Sequence, residues 1–447
     1  MSDVIQFGAA GDGLYDDTAA IQHAVAMGDG LLQFPPGTYI VSRPIEVMLS
    51  EHGPLGIEGA GGTSRIVMKG KGPAFRLVGS HSGTGDPNSR KGNVPTHQRL
   101  PTVRNIEVEG AHPEADGFEL VETLQSVFEG VLVTKCRHGI HLVKRNRNVL
   151  ISHCHLYFNT GIGIYLDGVN LHQINIASSH ISYNRLGGIR IERSEVRNLQ
   201  ITGNDIEYNN HRAHKTEPEP TAEIYIDASA ERASVNEVTI ASNTIQATNS
   251  PSGSNIRILE KPDKSRPPGL FAISGNIIGS QENNVHLTGC YGISIAGNCI
   301  YSGKNRNLLI EDSRLINLSG NTFRRHTPSY GTGVRFTGSS DITFTGCSIL
   351  DETEEGEPHL DALLELEDCQ RINVSGSQFI NGKVGILGKD CHNLSITGSS
   401  VQDARESPIS EHSIRILGSD GNHLVSGNNL GTAICGEAHT NGNIIAD

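Results

Sequence analysis

The sequence predicts an all-β protein, a parallel β-helix or solenoid with a short helix capping its N-terminus. Composition is the first observation: 52 Gly stand against no Trp and 4 Met in 447 residues. That balance favours short strands joined by tight turns over helical bundles. A repeat is the second. From about residue 124 short apolar runs alternate with Gly and Asn, and a triplet recurs as "ITGN", "ISGN", "IAGN", "LSGN", "FTGC", "VSGS", "ITGS" and "VSGN". From Gly275 to Gly427 the glycines of this triplet lie 22 to 30 residues apart, and Gly203 precedes them by about three periods. The third observation is what fills each period: two or three strands with alternating apolar residues. Such a unit buries its apolar face only by stacking on its neighbours. Leucine-rich repeats share this period but need an LxxLxL frame, whereas these strands are rich in Ile and Val with Asn at the turns. Asn204, Asn243, Asn276, Asn298, Asn321 and Asn428 are therefore expected to stack at one corner, each amide bonding the next turn.

The chain opens on "FGAAGDGLYDDTAAIQHAV", residues 7 to 25. A glycine-rich segment running into a helix invites a phosphate-binding reading. The lysine of a GxxxxGK[ST] loop is missing, however, no βαβ strand precedes the stretch, and Asp16 and Asp17 would repel a phosphate. Either aspartate instead serves as a helix cap, and Ile21, Ala24 and Val25 face a core. A solenoid has an open end with unpaired strand edges, and an amphipathic helix plugs it. This stretch, with "LLQFPPGTYIV" at residues 31 to 41, resembles the N-terminal module of the pectate-lyase-like family of right-handed, single-stranded parallel β-helix proteins. The resemblance in motif covers about the first 45 residues, and the repeat extends it. It implies the fold, action on or binding of a poly- or oligosaccharide, and a homotrimer as is common among tailspike-like and fructotransferase-like relatives; the residues themselves call for no cofactor, calcium aside. It does not choose among polysaccharide lyases, glycoside hydrolases, uronan epimerases, inulin fructotransferase-like enzymes and phage tailspikes, which share the module.

The expected organisation is a cap and first coil over residues 1–54, then roughly a dozen coils over 55–447, with insertions at 80–101 and 208–222. A net charge of −13 argues against a nucleic-acid partner. The sequence has no 18-residue apolar run for a membrane span and no leader before Ile5, so the chain as given reads as cytoplasmic, or extracellular if a leader has been removed. Eight cysteines without a CxxC pair read as reduced, structural residues.

The strands "GFEL", "GIHL", "GIYLD", "GIRIE", "EIYID", "NIRIL", "NVHL", "NLLIE" and "GVRF" align one per coil. Side chains alternate along a strand, so one outward column reads Glu119, His141, Tyr165, Arg190, Tyr225, Arg257, His286. A second, two residues on, includes Asp167, Glu192 and Asp227. This is richer chemistry than a solvated sheet face requires, although Glu192 and Asp227 would also serve simply to neutralise Arg190 and Arg257. Both insertions are long enough to suggest function, and they carry Arg90, Lys91, His97, Arg99, His211, Arg212, His214 and Lys215. Expected substrate contacts are Glu119, His141, Asp167, Glu223, Arg257, His286, His97, Arg99 and His211. "SHCHL" would put His153 and His155 on one strand face, a weak zinc pair. Asp167, Glu192 and Asp227 form the carboxylate cluster a calcium ion would need, with the neighbouring arginines opposing it.

Three chemistries follow. A polysaccharide lyase needs a base for the C5 proton of a uronic acid, a cation for its carboxylate and an acid for the leaving oxygen. Tyr165, Tyr225 and His141 are the candidate base and acid, and Arg190 is the carboxylate fork. Carboxylate-driven hydrolysis or fructotransferase-like transfer would use Glu192 and Asp227, which adjacent coils place about 5 Å apart, or Asp167 and Asp227 at about 9.6 Å. Asp205 and Glu207 are further carboxylates for it. The NTD, DD, GHG and RIK motifs of the polygalacturonase branch do not occur together. A tailspike-like module would bind a glycan without turning it over.

Overall fold

The computed structural model describes residues 2–445 apart from 84–85, 90–91, 247, 262–268, 327–329, 354–356, 358 and 419–421. Arg90 and Lys91 lie outside the described residues. The chain forms two compact units, Met1–Val238 and Thr239–Asp447. Each is a parallel β-solenoid, and the chain makes about 16 turns. That exceeds the dozen or so expected because several early coils turn on residues other than the marker triplet, such as Cys154 and Ser179.

Each coil carries three strands, seen in Gly187–Glu192, Glu195–Thr202 and Asp205–Glu207; these define faces A, B and C. On face A of the first unit, Ile164, Ile189 and Ile224 pair in register, as do Leu166, Ile191 and Ile226. All six are fully buried, and each contributes about 1.5–3 kcal/mol by leaving water. Phe34, Phe75, Phe118 and Phe128 extend the core, with successive ring centroids 6.0, 5.7 and 5.2 Å apart.

Polar ladders close the corners. In the second unit the Asn243, Asn276 and Asn298 backbone N–H groups each donate at 3.0 Å to the Oδ1 of Asn276, Asn298 and Asn321 respectively. Asn428 continues this column by accepting from Ser399 N at 2.9 Å. In the first unit Asn204 accepts from Ser179 N at 3.0 Å. A second ladder, at the corner leading into face A, runs Asn159, Asn184, Asn209. It ends on Glu223, which accepts from the Asn209 backbone at 3.0 Å and from its side-chain amide at 2.5 Å. The expectation that Glu223 would meet substrate is thus corrected: it is fully buried. Its place in the aligned strands belongs to Gly163 and Gly188, where an added Cβ would meet the ladder amides of Asn184 and Asn209 at 2.9 and 3.0 Å. The strand starts inside a corner, so strict alternation does not hold there.

The cap answers the question posed by the opening stretch. The helix Thr18–Met27 buries Ile21, Ala24 and Val25. Asp17 is the N-cap residue but its side chain makes no bond to the helix, and Asp16 just before it accepts from Thr18 N at 3.0 Å. Asp17 is buried and reaches back to the glycine-rich turn, accepting from Ala10 N and Gly11 N at 2.6 and 3.3 Å. Gly11 has φ +62, and a Cβ there would lie 2.9 Å from the Tyr39 ring, so both backbone sign and space require glycine. These aspartates are structural, as the motif reading held.

All eight cysteines are free, six of them buried. No helix among the described residues is long and apolar enough to cross a membrane. Insertion 80–101 joins the face A strand Gly72–Val78 to the face B strand Thr102–Arg104, and insertion 208–222 joins the face C strand Asp205–Glu207 to the face A strand Ala222–Asp227. The two insertions therefore border opposite edges of face A.

Candidate active site

Face A of the first unit aligns Arg76, Glu119, His141, Tyr165, Arg190 and Tyr225 in consecutive register pairs. Asp167, Glu192 and Asp227 form the neighbouring column. Coils about 4.8 Å apart bring these side chains within reach of one another, and the network is dense. Arg76 bridges Glu46 at 2.8 Å and Glu119 at 2.5 Å. His141 lies between two carboxylates, its Nδ1 3.8 Å from Glu119 and its Nε2 3.4 Å from Asp167. Its ring stacks on Tyr165 with centroids 5.1 Å apart and planes within 6°.

Tyr165 is the centre of the cluster. Its hydroxyl donates to Glu192 at 2.8 Å and accepts from Arg193 at 3.0 Å. Burial and the adjacent Glu192 push the phenol up to about 12, so near neutral pH it is a proton donor. Arg190 donates to Glu192 at 2.6 Å and lies over the Tyr225 ring, 4.8 Å from its centroid. Arg193 also donates to Asp167. Asp227 accepts from the Tyr225 hydroxyl at 3.3 Å and from Ser229 N at 2.8 Å.

Sequence alignment missed three contributors. Arg193 follows the strand at φ +51, where the chain turns and alternation no longer sets side-chain direction. His138 precedes its strand and packs against both His141 and Tyr165, at 5.4 and 5.1 Å between centroids. Burial lowers its imidazole to about 4, and its Nδ1 accepts from Ile162 N at 3.2 Å. Asp116 is 2% exposed and holds this corner, accepting from Arg137 Nε at 2.9 Å and from His138 N at 3.0 Å. The signal was present in "CRHGIHL", where a basic pair stands immediately before an aligned strand.

Other candidate residues fall elsewhere. Arg257 and His286 belong to the second unit; there His286 is 2.7 Å from Glu311, and Arg257 donates to the Ile258 carbonyl at 2.8 Å. His97 and Arg99 are exposed on the first insertion, and among the described residues no ion pair joins either to the cluster. This insertion is tied down where Arg145 donates to the Gly83 carbonyl at 2.7 Å and Ser80 N donates to the buried Gln98 at 2.9 Å. His211 is corrected: it is 7% exposed, at the start of the short helix His211–His214. The second insertion folds onto the coil below it through His214 Nε2 and the Tyr183 carbonyl, 2.8 Å apart, and through Arg185 to Thr216 at 3.1 Å.

Asp205 and Glu207 lie on face C, so they cannot join a carboxylate pair on face A. His153 occupies a turn at φ +55, and His155 begins the next strand, so they share no strand face. Guanidinium groups already bind Asp167 and Glu192, filling the positions calcium would need. Among the described residues no group of three or more His, Cys, Asp or Glu is placed to hold a metal ion.

Comparison with known proteins agrees with this architecture. Residues 1–217 match the family model described as rhamnogalacturonase A/epimerase, pectate lyase-like, and residues 265–430 match that of the right-handed β-helix region. The chain has the right-handed parallel β-helix fold, and its first 217 residues are pectate-lyase-like. It is 47% identical over 55 residues, 9% of its length, to a probable glucan endo-1,3-beta-glucosidase of Arthroderma benhamiae. The match spans 6% of that relative. Among solved structures, the pre-mature gene product 12 of bacteriophage phi29 is 16% identical with a TM-score of 0.52, over 99% of this chain and 56% of that one. The A-module of the mannuronan C-5 epimerase AlgE6 of Azotobacter vinelandii is 15% identical with a TM-score of 0.37, over the whole of both chains. The likeness to gene product 12 is one of fold alone. The family match leaves the reaction open.

Proposed function

We propose that the protein is a polysaccharide lyase that cleaves a uronate-bearing glycan on face A of the first unit by β-elimination. The observation that carries this reading is the contact of three kinds of group at one point: an imidazole, a phenol held protonated, and an accessible guanidinium. His141 takes the C5 proton, the C5–H electron pair forms the C4–C5 double bond, the C4–O bond breaks, and the Tyr165 phenol protonates the departing oxygen. Arg193, with its side chain 56% exposed and already bonded to Tyr165, turns its fork to the uronate carboxylate and lowers the cost of the carbanion. Arg190, gripped by Glu192 and the Tyr225 ring, shapes the subsite. Asp116 and His138 fix the corner behind His141.

Hydrolysis is the second reading, and Asp227 favours it, since its described hydrogen bonds come from a hydroxyl and a backbone N–H rather than from a guanidinium. Ultraviolet absorbance of unsaturated uronate, followed in parallel with reducing ends, separates the two. A joint rise on a uronate polymer, abolished by Tyr165→Phe, supports elimination. Reducing ends without absorbance, lost in Asp227→Asn and Glu192→Gln, would replace the lyase by a hydrolase.

A further inference from the structure

Face B of the first unit carries a groove of about 550 Å³, whose chemistry is unlike that of the face A cluster. Gln125, Asn148, Gln173 and Asn198 sit on successive coils, all at positive φ between 55 and 66, which turns their side chains out of the strand alternation. Asn175 and Gln200 pair in register beside them. The remaining lining is aliphatic: Leu100, Val127 and Leu150. Leu100 and Leu150 are 54% and 44% exposed. Among the described residues no charged side chain lines the groove itself, and the amide row ends where Asn198 donates to Glu237 at 2.6 Å. Its volume falls in the range of ligand sites.

We infer that this groove is a subsite for an uncharged stretch of glycan, lying along the solenoid axis. A carboxamide offers a donor and an acceptor on one side chain, matching hydroxyl groups that both give and accept a hydrogen bond. A charged groove would instead select an anion. The Asn148 and Gln173 amides already bond each other at 2.6 Å, which fixes their orientation, while the amides of Gln125, Asn175 and Gln200 have no hydrogen-bond partner among the described residues and remain available. Leu100, Val127 and Leu150 supply the apolar surface on which the C–H face of a pyranose ring packs. Coils repeat at about 4.8 Å, so successive amides meet successive sugars. The inference rests on the reading of the protein as glycan-active, and assigns to face B the neutral part of what face A cleaves.

The test uses the full-length chain carrying Tyr165→Phe, titrated by calorimetry with neutral cello-, malto-, laminari- and xylo-oligosaccharides and with an oligouronate. Saturable binding of one neutral series is expected, weakened at least tenfold by Asn175→Ala with Gln200→Ala and abolished by Leu150→Glu, with circular dichroism unchanged. Asn175 and Gln200 stand on a regular strand, so these variants fold. Failure of every neutral series to bind, or binding indifferent to these changes, overturns the inference. It is overturned too if the chain sediments as an oligomer that Leu150→Glu dissociates, since face B is then an interface between copies. If neutral binding holds while Tyr165→Phe keeps full turnover, the subsite stands and the lyase reading fails; loss of turnover in Tyr165→Phe without neutral binding is the reverse.

Discussion

Face A is built from the same kind of strand in both units, yet its outward columns differ in kind. In the second unit Arg306 and Arg335 lie 2.8 and 3.7 Å from Glu365, Arg335 also binds Glu367, and Lys389 lies 2.8 Å from Glu367. This is a lattice of ion pairs, which keeps a sheet soluble and contributes little else. The second unit also holds one imidazole, His286, 2.7 Å from Glu311, whereas the first unit stacks two imidazoles and a phenol on one another inside a comparable lattice. Ion pairs there act as fixed supports: Glu192 orients Tyr165 and Arg190 together, and Asp167 orients Arg193. The neutralising role expected of Glu192 is real, and it is also what gives the phenol a single direction. The comparison teaches that a charged β face becomes a candidate for chemistry when several groups able to give or take a proton touch one another among the charges.

Tyr165→Phe breaks the comparison hardest. It removes one hydroxyl and leaves the ring stacked, so turnover should fall about 10²–10⁴-fold, measured as initial rate on the responsive glycan, whereas Glu367→Gln in the second unit should leave the rate unchanged. Next in size is the corner. At the strand position where the second unit has Asn284 and Asn307, the first has Glu223, whose carboxyl burial pushes up from 4.5 to about 8. The protonated form fits the fold, so its stabilisation is complete below pH 4.5, declines as pH rises toward 8 and levels off above. Glu223→Gln keeps the acceptor for Asn209 and removes the titration. Its stability relative to the parent should therefore rise across that window, by roughly 5 kcal/mol at most, as read from urea unfolding at pH 4 and pH 9.

Arg193→Lys keeps the charge but loses the fork that serves Tyr165 and Asp167 together. A fall in kcat of about tenfold or more is expected, about the order of one transition-state interaction, with Arg193→Met falling further. Smallest is the lattice itself: Glu367→Gln should cost no more than ~1 kcal/mol in thermal unfolding. A larger loss would mean that the second unit's ion pairs carry more than solubility.

Much of this was legible in the sequence, because a period of two fixes direction wherever a strand is regular. Glu119, His141, Tyr165, Arg190 and Tyr225 took one column, and the asparagine corner formed from the residues the repeat marked. What escaped lies where the strand begins or ends. Arg193 and His153 sit at positive φ, His138 and Glu223 stand at corners, and their directions come from turn geometry that alternation does not encode. Glu223 had a visible signal in its aligned partners: glycine or asparagine, the residues of a crowded corner. Gln125, Asn148, Gln173 and Asn198 escaped for the same reason, since each occupies a left-handed position that no aligned strand included.

The central claim is that the phenol and imidazole of face A perform elimination on a uronate. The direct measurement is the ultraviolet absorbance of the reaction mixture, over a panel of acidic and neutral polysaccharides, with the parent chain and Tyr165→Phe side by side. The account predicts a rise on a uronate polymer with the parent and its loss with the variant. Reducing ends released without absorbance, at equal rates in both proteins, would contradict it.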